Sequence, residues 1–536
     1  MYLNSPYNNP YQLSRNVVFG RRGMVASSHP LAAQIGLDIL KNGGNAIASA
    51  VAVATSLTVM EPTSNGIGSD AFALIWYRGK LYGLNASGPA PRDITIGKVK
   101  ECGFEKMPRF GFVPVTVPGA PAAWRELIKR FGNMSLNEVL TPAIDYAEKG
   151  YPVSPTTAFN WNMAYRIYKK NLLGPEYEEW FKVFAPNGRP PQAGEIWKSK
   201  DHANTLRLIA ASNGEAFYNG KLADMIADFS KRYQGFITKR DLAEYEPQWV
   251  EPISVNYRGY DIWEIPPNGQ GLVCLITLNI LKGFDYLYPY NAKTVHKQIE
   301  AIKLGFAEGY KHITDIDEME INISELLADE YANKLRQLIS DRAMPGEVND
   351  NRSGTVYFAT ADGEGNMVSY IQSNYMGFGS GLVVPGTGIA LQNRGHTFSL
   401  NSHHINCLKP GKRTYHTIIP GFVTKNGKPV GPFGVMGGFM QPQGHLQVLS
   451  NCIDFKMNPQ AALDAPRWQW VRDNVVKVEQ RFPNHLIQEL MAMGHHIQIE
   501  PSATTFGRGQ IIWRHPDSGI LMGGTESRTD GIVGAL

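Results

Sequence analysis

The 536-residue chain has little of what marks a secreted, membrane-spanning or nucleic-acid-binding protein. Only four cysteines occur, Cys102, Cys274, Cys407 and Cys452, far apart and without a C-x-x-C pair. Neither a zinc cluster nor a disulfide scaffold is expected from such spacing, and reduced thiols in a cytoplasmic protein are the simplest reading. The longest apolar run, residues 47–60, holds 14 residues, short of the roughly 20 that a membrane helix needs. Its Ala, Ser and Thr content reads instead as a buried helix. Residues 1–16 are rich in Tyr, Asn and Pro without an apolar core, so no signal peptide is expected. The net charge of +4, from 52 basic against 48 acidic residues, is spread without a basic block, which argues against a nucleic-acid partner. Internal repeats are absent.

What is present is an ordinary globular composition, 43% apolar and 19% charged, enough chain for one large or two ordinary cores. Helical spacing covers residues 31–41, ending at Gly43-Gly44 as a C-cap, and 46–60. Alternation at 70–77 and 80–87 about Arg78-Gly79 predicts a hairpin. Helices then dominate: 120–131, 136–149, 202–212, 272–281, 292–312 and 324–339. Residues 343–353 form a polar Pro/Gly/Asn/Asp linker. Strands follow at 355–360, 367–373, 388–393, 417–424 and 428–435, then helices at 439–451 and 484–493 and a last hairpin, 510–513 with 519–522. Helices, strands, strands, helices in this order suggest stacked sheets covered on both outer faces.

The composition break falls just before Thr355, which opens a strand leading into the turn Asp362-Gly363-Glu364-Gly365-Asn366. Closing that turn about Glu364 pairs Asp362 with Asn366. The same register places Thr355 opposite Ser373, with β-carbons roughly 5 Å apart. A threonine hydroxyl is a poor nucleophile until a base removes its proton. A free α-amine on the same residue is one such base, titrating at about 7.7–8. Within an intact chain that amine is an amide. Thr355 would therefore act only after the Gly354–Thr355 bond breaks, a cut its own hydroxyl can make on the Gly354 carbonyl; glycine at 354 tolerates strain and leaves that carbonyl open. An exposed linker upstream tolerates such a nick.

Acyl transfer also needs donors aimed at the oxyanion. The run Gly434-Val435-Met436-Gly437-Gly438-Phe439 leaves a strand and enters a helix, and its two successive glycine N–H groups suit that task. Alone, Gly-Gly is usually only a turn.

These residues, with several ordered segments, carry a resemblance. The segments are Gly23-Met24-Val25-Ala26-Ser27, Asp38 to Ala46, Val117-Pro118-Gly119, Tyr257-Arg258-Gly259-Tyr260, Phe378-Gly379-Ser380-Gly381, Lys412-Arg413, Met436-Gly437-Gly438 and Leu463-Asp464-Ala465-Pro466-Arg467. Along nearly its whole length the chain resembles the γ-glutamyltranspeptidase family of N-terminal-nucleophile (Ntn) hydrolases. The resemblance implies an α+β fold, the αββα four-layer sandwich, made as a proenzyme and self-cleaved. Residues 1–354 would form a large subunit and 355–536 a small one, associated as one αββα unit, with a dimer of such heterodimers possible. It places the nucleophile on Thr355, its neighbouring hydroxyl on Ser373 and the oxyanion glycines on Gly437 and Gly438. His416-Thr417 stands where transpeptidases carry two serines that touch substrate.

The departures bear on substrate. Transpeptidases hold the glutamate α-carboxylate with an arginine, where this chain has Asn85, and the α-amine with an aspartate, where it has Thr397. Arg394 replaces a Gln or Glu. A buried amine without a carboxylate partner is costly, whereas Arg394 suits a substrate carboxylate, held bidentately, or an internal ion pair. Gln392-Asn393-Arg394-Gly395 and Met440-Gln441-Pro442-Gln443-Gly444-His445 look more like the branch of cephalosporin acylases, oxamate amidohydrolases and capsule-depolymerising relatives. The expectation is an autoprocessing amidohydrolase or acyltransferase needing no cofactor and no metal, with Asn85, Arg394, Thr397, His416 and Thr417 lining the substrate. The alternatives are a γ-glutamyltransferase or glutathione hydrolase with rearranged anchors, and an unprocessed binding protein on the same fold. Among other residues, Asp70 reads as a structural carboxylate and His445 as a packed or hydrogen-bonding helix residue. The pairs His403-His404 and His495-His496 diverge too far to hold a metal.

Overall fold

The computed structural model describes residues 15–285, 288, 291–346 and 354–536. Seven of the residues assigned above to the linker, 347–353, thus lie outside the described residues, as do 1–14.

Two seven-stranded antiparallel sheets lie face to face. One runs Ile532–Ala535, Gly23–Ser27, Gly354–Asp362, Met367–Tyr375, Asp70–Tyr77, Lys80–Ala86, Gln248–Val250. The other runs Val18–Gly20, Leu521–Thr525, Arg508–Arg514, Lys428–Met436, Gly421–Lys425, Tyr260–Glu264, Ile253–Tyr257. Between them a core of Phe72, Leu74, Tyr357, Ile371, Phe422, Met436 and Ile512 is shielded from water. Helices Pro30–Lys41, Ala46–Met60, Ala120–Phe131 and Leu136–Lys149 cover the first sheet; Gly271–Leu281, Ala292–His312 and Met440–Ile453 cover the second. This is the expected αββα sandwich. Each sheet takes strands from both sides of residue 354, so the two halves share the core between the sheets.

The helix Ala46–Met60 shows how local chemistry sets the strand that Thr355 opens. Every residue in it is buried, as its Ala/Val/Leu run demands, and the Asn45 side chain caps it through Ile47 N and Ala48 N. Its Ala46 carbonyl accepts from Thr360 Oγ1 at 2.8 Å, and its Ala46 N–H donates to Asp362 Oδ2 at 3.0 Å. Asp362 also accepts from Glu364 N and Asn366 N, each at 3.0 Å. One carboxylate therefore closes the hairpin turn and docks it on the helix start.

Three expected elements differ. Residues 388–393 form only isolated bridges, because Gly386 and Gly388 take φ of +71° and +70° and turn the chain. The strand expected at 417–424 begins at Gly421. Ahead of it Thr417 O is taken by Gln270 Nε2, Ile419 N by Gln441 Oε1, and Pro420 has no N–H to offer. The helix expected at 324–339 is two, Ile323–Leu326 and Asp329–Arg336, with the Leu327 carbonyl bound by Asn279 Nδ2 between them.

The sheets pack tightly where Gly434 faces the Tyr357 ring: a Cβ there would stand 2.4 Å from it. The ring has little freedom to move, since Tyr357 OH bonds Ser369 Oγ at 2.8 Å. Gly434→Ala is expected to cost about 1–3 kcal/mol through overpacking, read as a lowered urea midpoint; an unchanged midpoint would contradict this account of the interface.

Candidate active site

The hairpin Gly354–Asp362 / Met367–Tyr375 keeps the register Val356↔Gln372 through Ala361↔Met367, then slips by one at a bulge, so that Gly354 faces Tyr375. Thr355 lies in this bulge and its Oγ1 is 3.0 Å from Ser373 Oγ. Ser373 Oγ–H donates to the Gly354 carbonyl at 2.8 Å, and the same oxygen accepts from Tyr375 N–H at 2.8 Å. With its one proton committed to Gly354, Ser373 meets Thr355 as an acceptor, so the Thr355 hydroxyl is the donor between them. Both side chains are buried. The hydroxyl of 355, the carbonyl before it and the hydroxyl of 373 thus form one chain. Glycine at 354 is required by close approach: a Cβ would lie 2.8 Å from Thr63 O and 3.0 Å from Gly377 N.

Gly437 and Gly438 leave the strand Lys428–Met436 at φ of +137° and +61° and lead into the helix Met440–Ile453. Such values favour glycine. Their N–H groups donate to no described group, while Gln270 Nε2 pins the Gly438 carbonyl at 2.8 Å and the Thr417 carbonyl at 2.6 Å. Gln270 was not singled out by the sequence; its neighbours in chain give no hint that it ties these two loops. Gly437 and Gly354 border one cavity.

Arg394 is fully buried. Its Nη1 donates to Thr417 Oγ1 at 2.7 Å, its Nε stands 3.7 Å from Asp70 Oδ2, and its guanidinium lies 4.3 Å above the Tyr375 ring. Nε and Nη2 have no hydrogen-bond acceptor among the described residues. Burial lowers the arginine to about 10, against the pull of Asp70. Tyr375 holds φ of +72°, rare for a side chain of its size, and it links Ser373 to Arg394; only its position two residues past Ser373 hints at that role.

Asp70 sits beside Ser373 in the sheet register. It accepts from Gly88 N–H at 3.3 Å and lies 3.0 Å from His416 Nε2. His416 Nδ1 accepts from Ile418 N–H, so Nε2 carries the proton and donates to Asp70. Burial, reinforced by Arg394, drives His416 well below its ordinary value and keeps it neutral. Burial raises Asp70 to about 7, opposed by Arg394 and the Gly88 amide. Asp70 is therefore part of the Arg394–His416 cluster rather than an isolated structural carboxylate.

The remaining expected substrate residues are engaged within the protein. Asn85 bonds Asn268 and Ser87. Thr397 Oγ1 contacts Arg394 O, Thr414 Oγ1 and Tyr415 O, although Thr397, Tyr375 and Phe439 border a cavity of about 600 Å³. His445 pairs with Glu264 at 2.8 Å, beside Cys274. His495 meets His296 at 2.8 Å, near Glu300, whose carboxylate already holds Lys303. Among the described residues, these two groups have atoms spaced to hold an ion. No described helix is long and apolar enough to cross a membrane.

A four-layer αββα sandwich with a buried hydroxyl opening an inner strand beside two unengaged amides is the arrangement of N-terminal nucleophile hydrolases. The γ-glutamyltranspeptidase family model matches residues 32–536. The glutathione hydrolase-like YwrD proenzyme of Bacillus subtilis is 36% identical over 529 residues, covering 96% of this chain and 98% of its own. The oxamate amidohydrolase proenzyme of Klebsiella pneumoniae is 32% identical over 523 residues, covering 95% and 97%. A crystal structure of cephalosporin acylase from Bacillus halodurans superposes with a TM-score of 0.97 at 60% identity, covering 100% of this chain and 99% of that one. The chain belongs to the γ-glutamyltranspeptidase family, and it is an Ntn amide hydrolase formed from a proenzyme whose two subunits derive from one precursor.

The raised Asp70 has a consequence for stability. The folded protein holds this proton more tightly than the unfolded chain, which releases it near 3.8. Its favourable contribution is complete below about pH 4, is lost as pH climbs to about 7, and is flat above. In a Thr355→Ala background, Asp70→Asn should therefore gain in urea midpoint relative to its parent between pH 5 and pH 7.5. A difference that does not change with pH would refute the assignment.

Proposed function

We propose that Thr355 is the nucleophile, that the precursor is cut between Gly354 and Thr355, and that the mature enzyme cleaves amides of small carboxylate-bearing molecules. In the precursor the Thr355 Oγ–C(Gly354) bond forms as the Gly354–Thr355 C–N bond breaks. The hydroxyl proton moves to the departing nitrogen, and Ser373 supports the carbonyl oxygen by hydrogen bonding. Water then hydrolyses the ester, leaving a Gly354 carboxylate and a free Thr355 α-amine. In turnover that amine takes the Oγ proton as Oγ attacks the substrate carbonyl, and returns it to the leaving amine. Gly437 and Gly438 N–H groups hold the oxyanion. Water, or an acceptor amine, releases the acyl group.

The observation that carries the substrate class is Arg394, a fully buried guanidinium whose Nε and Nη2 make no hydrogen bond among the described residues, with Asp70 no closer than 3.7 Å to Nε. Unmet donors of a buried cation are costly, and a carboxylate supplies the missing acceptors as a fork. His416 and Thr417 set the floor beneath it. Asn85 and Thr397, at the two positions where transpeptidases clamp the α-groups of glutamate, offer no charge and are already bonded. That disfavours free γ-glutamyl substrates. Four free thiols, three of them buried, fit a cytoplasmic location.

Two tests bear on this reading. Ser373→Ala removes the donor on the Gly354 carbonyl and should slow self-cleavage at least about tenfold, by loss of one oxyanion-type hydrogen bond. The readout is the appearance of bands of about 39 and 20 kDa, sharing 59.4 kDa by length; cleavage at the parent rate would contradict it. Arg394→Gln should lower kcat/KM for an N-succinyl anilide by about 10–100-fold, the worth of a charged hydrogen bond. Turnover confined to a γ-glutamyl anilide would instead support the glutathione-hydrolase reading.

A further inference from the structure

A second cavity of about 170 Å³ opens at the junction, bordered by Gly354, Gly377 and Gly437. It shares no described lining residue with the larger cavity at Tyr375 and Phe439. The two approach the end of the nucleophile hairpin separately, one at Tyr375, the other at the residues facing and following it. The smaller cavity is basic: Arg109, Arg508 and Lys477 line it. Lys477 has Glu500 at 3.8 Å. Arg109 and Arg508 have no ion-pair partner among the described residues, and the Nε of each is buried without an acceptor. The Arg109 guanidinium lies over Phe110 at 4.9 Å. Arg508 stands opposite Met436, at the strand end that delivers Gly437. Glu61, a buried carboxyl, feels the charge of Arg508, and burial raises it above its ordinary value against that pull.

We propose that this cavity is a second anion subsite, in which Arg109 and Arg508 take a carboxylate on the part of the substrate that lies across the scissile amide from Arg394. The inference rests on Arg394 receiving the first carboxylate. Two guanidinium groups with free edges match a carboxylate's two oxygens. The volume, about that of six waters in liquid, has room for a carboxylate and the atoms that carry it. The preferred substrate then carries one carboxylate on each side of the bond that breaks.

The test uses processed enzyme and four chromogenic amides: the butyryl and succinyl derivatives of 4-nitroaniline and of 5-amino-2-nitrobenzoate. The doubly charged amide should have the highest kcat/KM. Arg109→Gln and Arg508→Gln should each erase at least tenfold of the advantage given by one carboxylate, and Arg394→Gln the advantage given by the other. Arg109→Lys should restore part of it, and two bands on a gel show that each variant folds and matures. The subsite is refuted if the Arg109 and Arg508 variants leave both advantages intact, or remove the same one as Arg394→Gln. Calorimetric titration with succinate and with 5-amino-2-nitrobenzoate judges it independently of turnover. One of the two should bind wild-type enzyme at least tenfold more tightly than either variant at Arg109 or Arg508; equal binding refutes the subsite even if no amide is cleaved. Absence of turnover alone would count against the Arg394 reading.

Discussion

The Ser373 hydroxyl is the contact on which the rest of the site depends. It accepts from Thr355 and Tyr375 and donates to the Gly354 carbonyl, so the Thr355 hydroxyl, the Gly354 carbonyl and the hairpin end are held by one atom. That geometry needs a bulge at Thr355, because an unbroken ladder would commit the local backbone to pairing. It also needs a hairpin that cannot slide, which Asp362 provides by closing the turn and binding the start of the Ala46–Met60 helix.

Around this centre, buried charge is placed on one side in a compensated cluster. Asp70 lies next to Ser373 in the sheet and faces both neutral His416 and Arg394. Removing one member of such a cluster leaves the others unpaired in a low-dielectric interior, which costs more than the contact itself is worth. Arg394 differs from the other two in having donors left over. The distinction matters: a cation fully used by the fold has nothing to offer a ligand, whereas one with open edges gains most when an anion arrives.

Much of this was legible in the sequence. The Asp-Gly-Glu-Gly-Asn turn predicts the pairing of 362 with 366, and its register extended places Thr355 opposite Ser373; the ladder instead slips by one at a bulge there, yet the two hydroxyls lie 3.0 Å apart. The layer order followed from the sequence of helical and alternating segments. What resisted reading were contacts between residues far apart in the chain. Gln270 tying Thr417 to Gly438, and Arg109 and Arg508 lining one cavity, leave no periodic mark. Nor does Asp70 announce that it will face His416, 346 residues later. Residues 388–393 misled because an apolar, alternating run was bent by two glycines with positive φ, and the helix at 324–339 because a distant asparagine takes the Leu327 carbonyl.

Each sheet takes strands from both sides of residue 354, so the proposed cut before Thr355 would leave both sheets paired while creating a new amine beside a hydroxyl. The most direct measurement is the intact mass and N-terminal sequence of the smaller fragment of purified, active protein. A fragment of about 20 kDa beginning Thr-Val-Tyr-Phe at residue 355 is the predicted result. Full activity in a chain that is continuous through Gly354 and Thr355, or a fragment beginning elsewhere, would contradict the account.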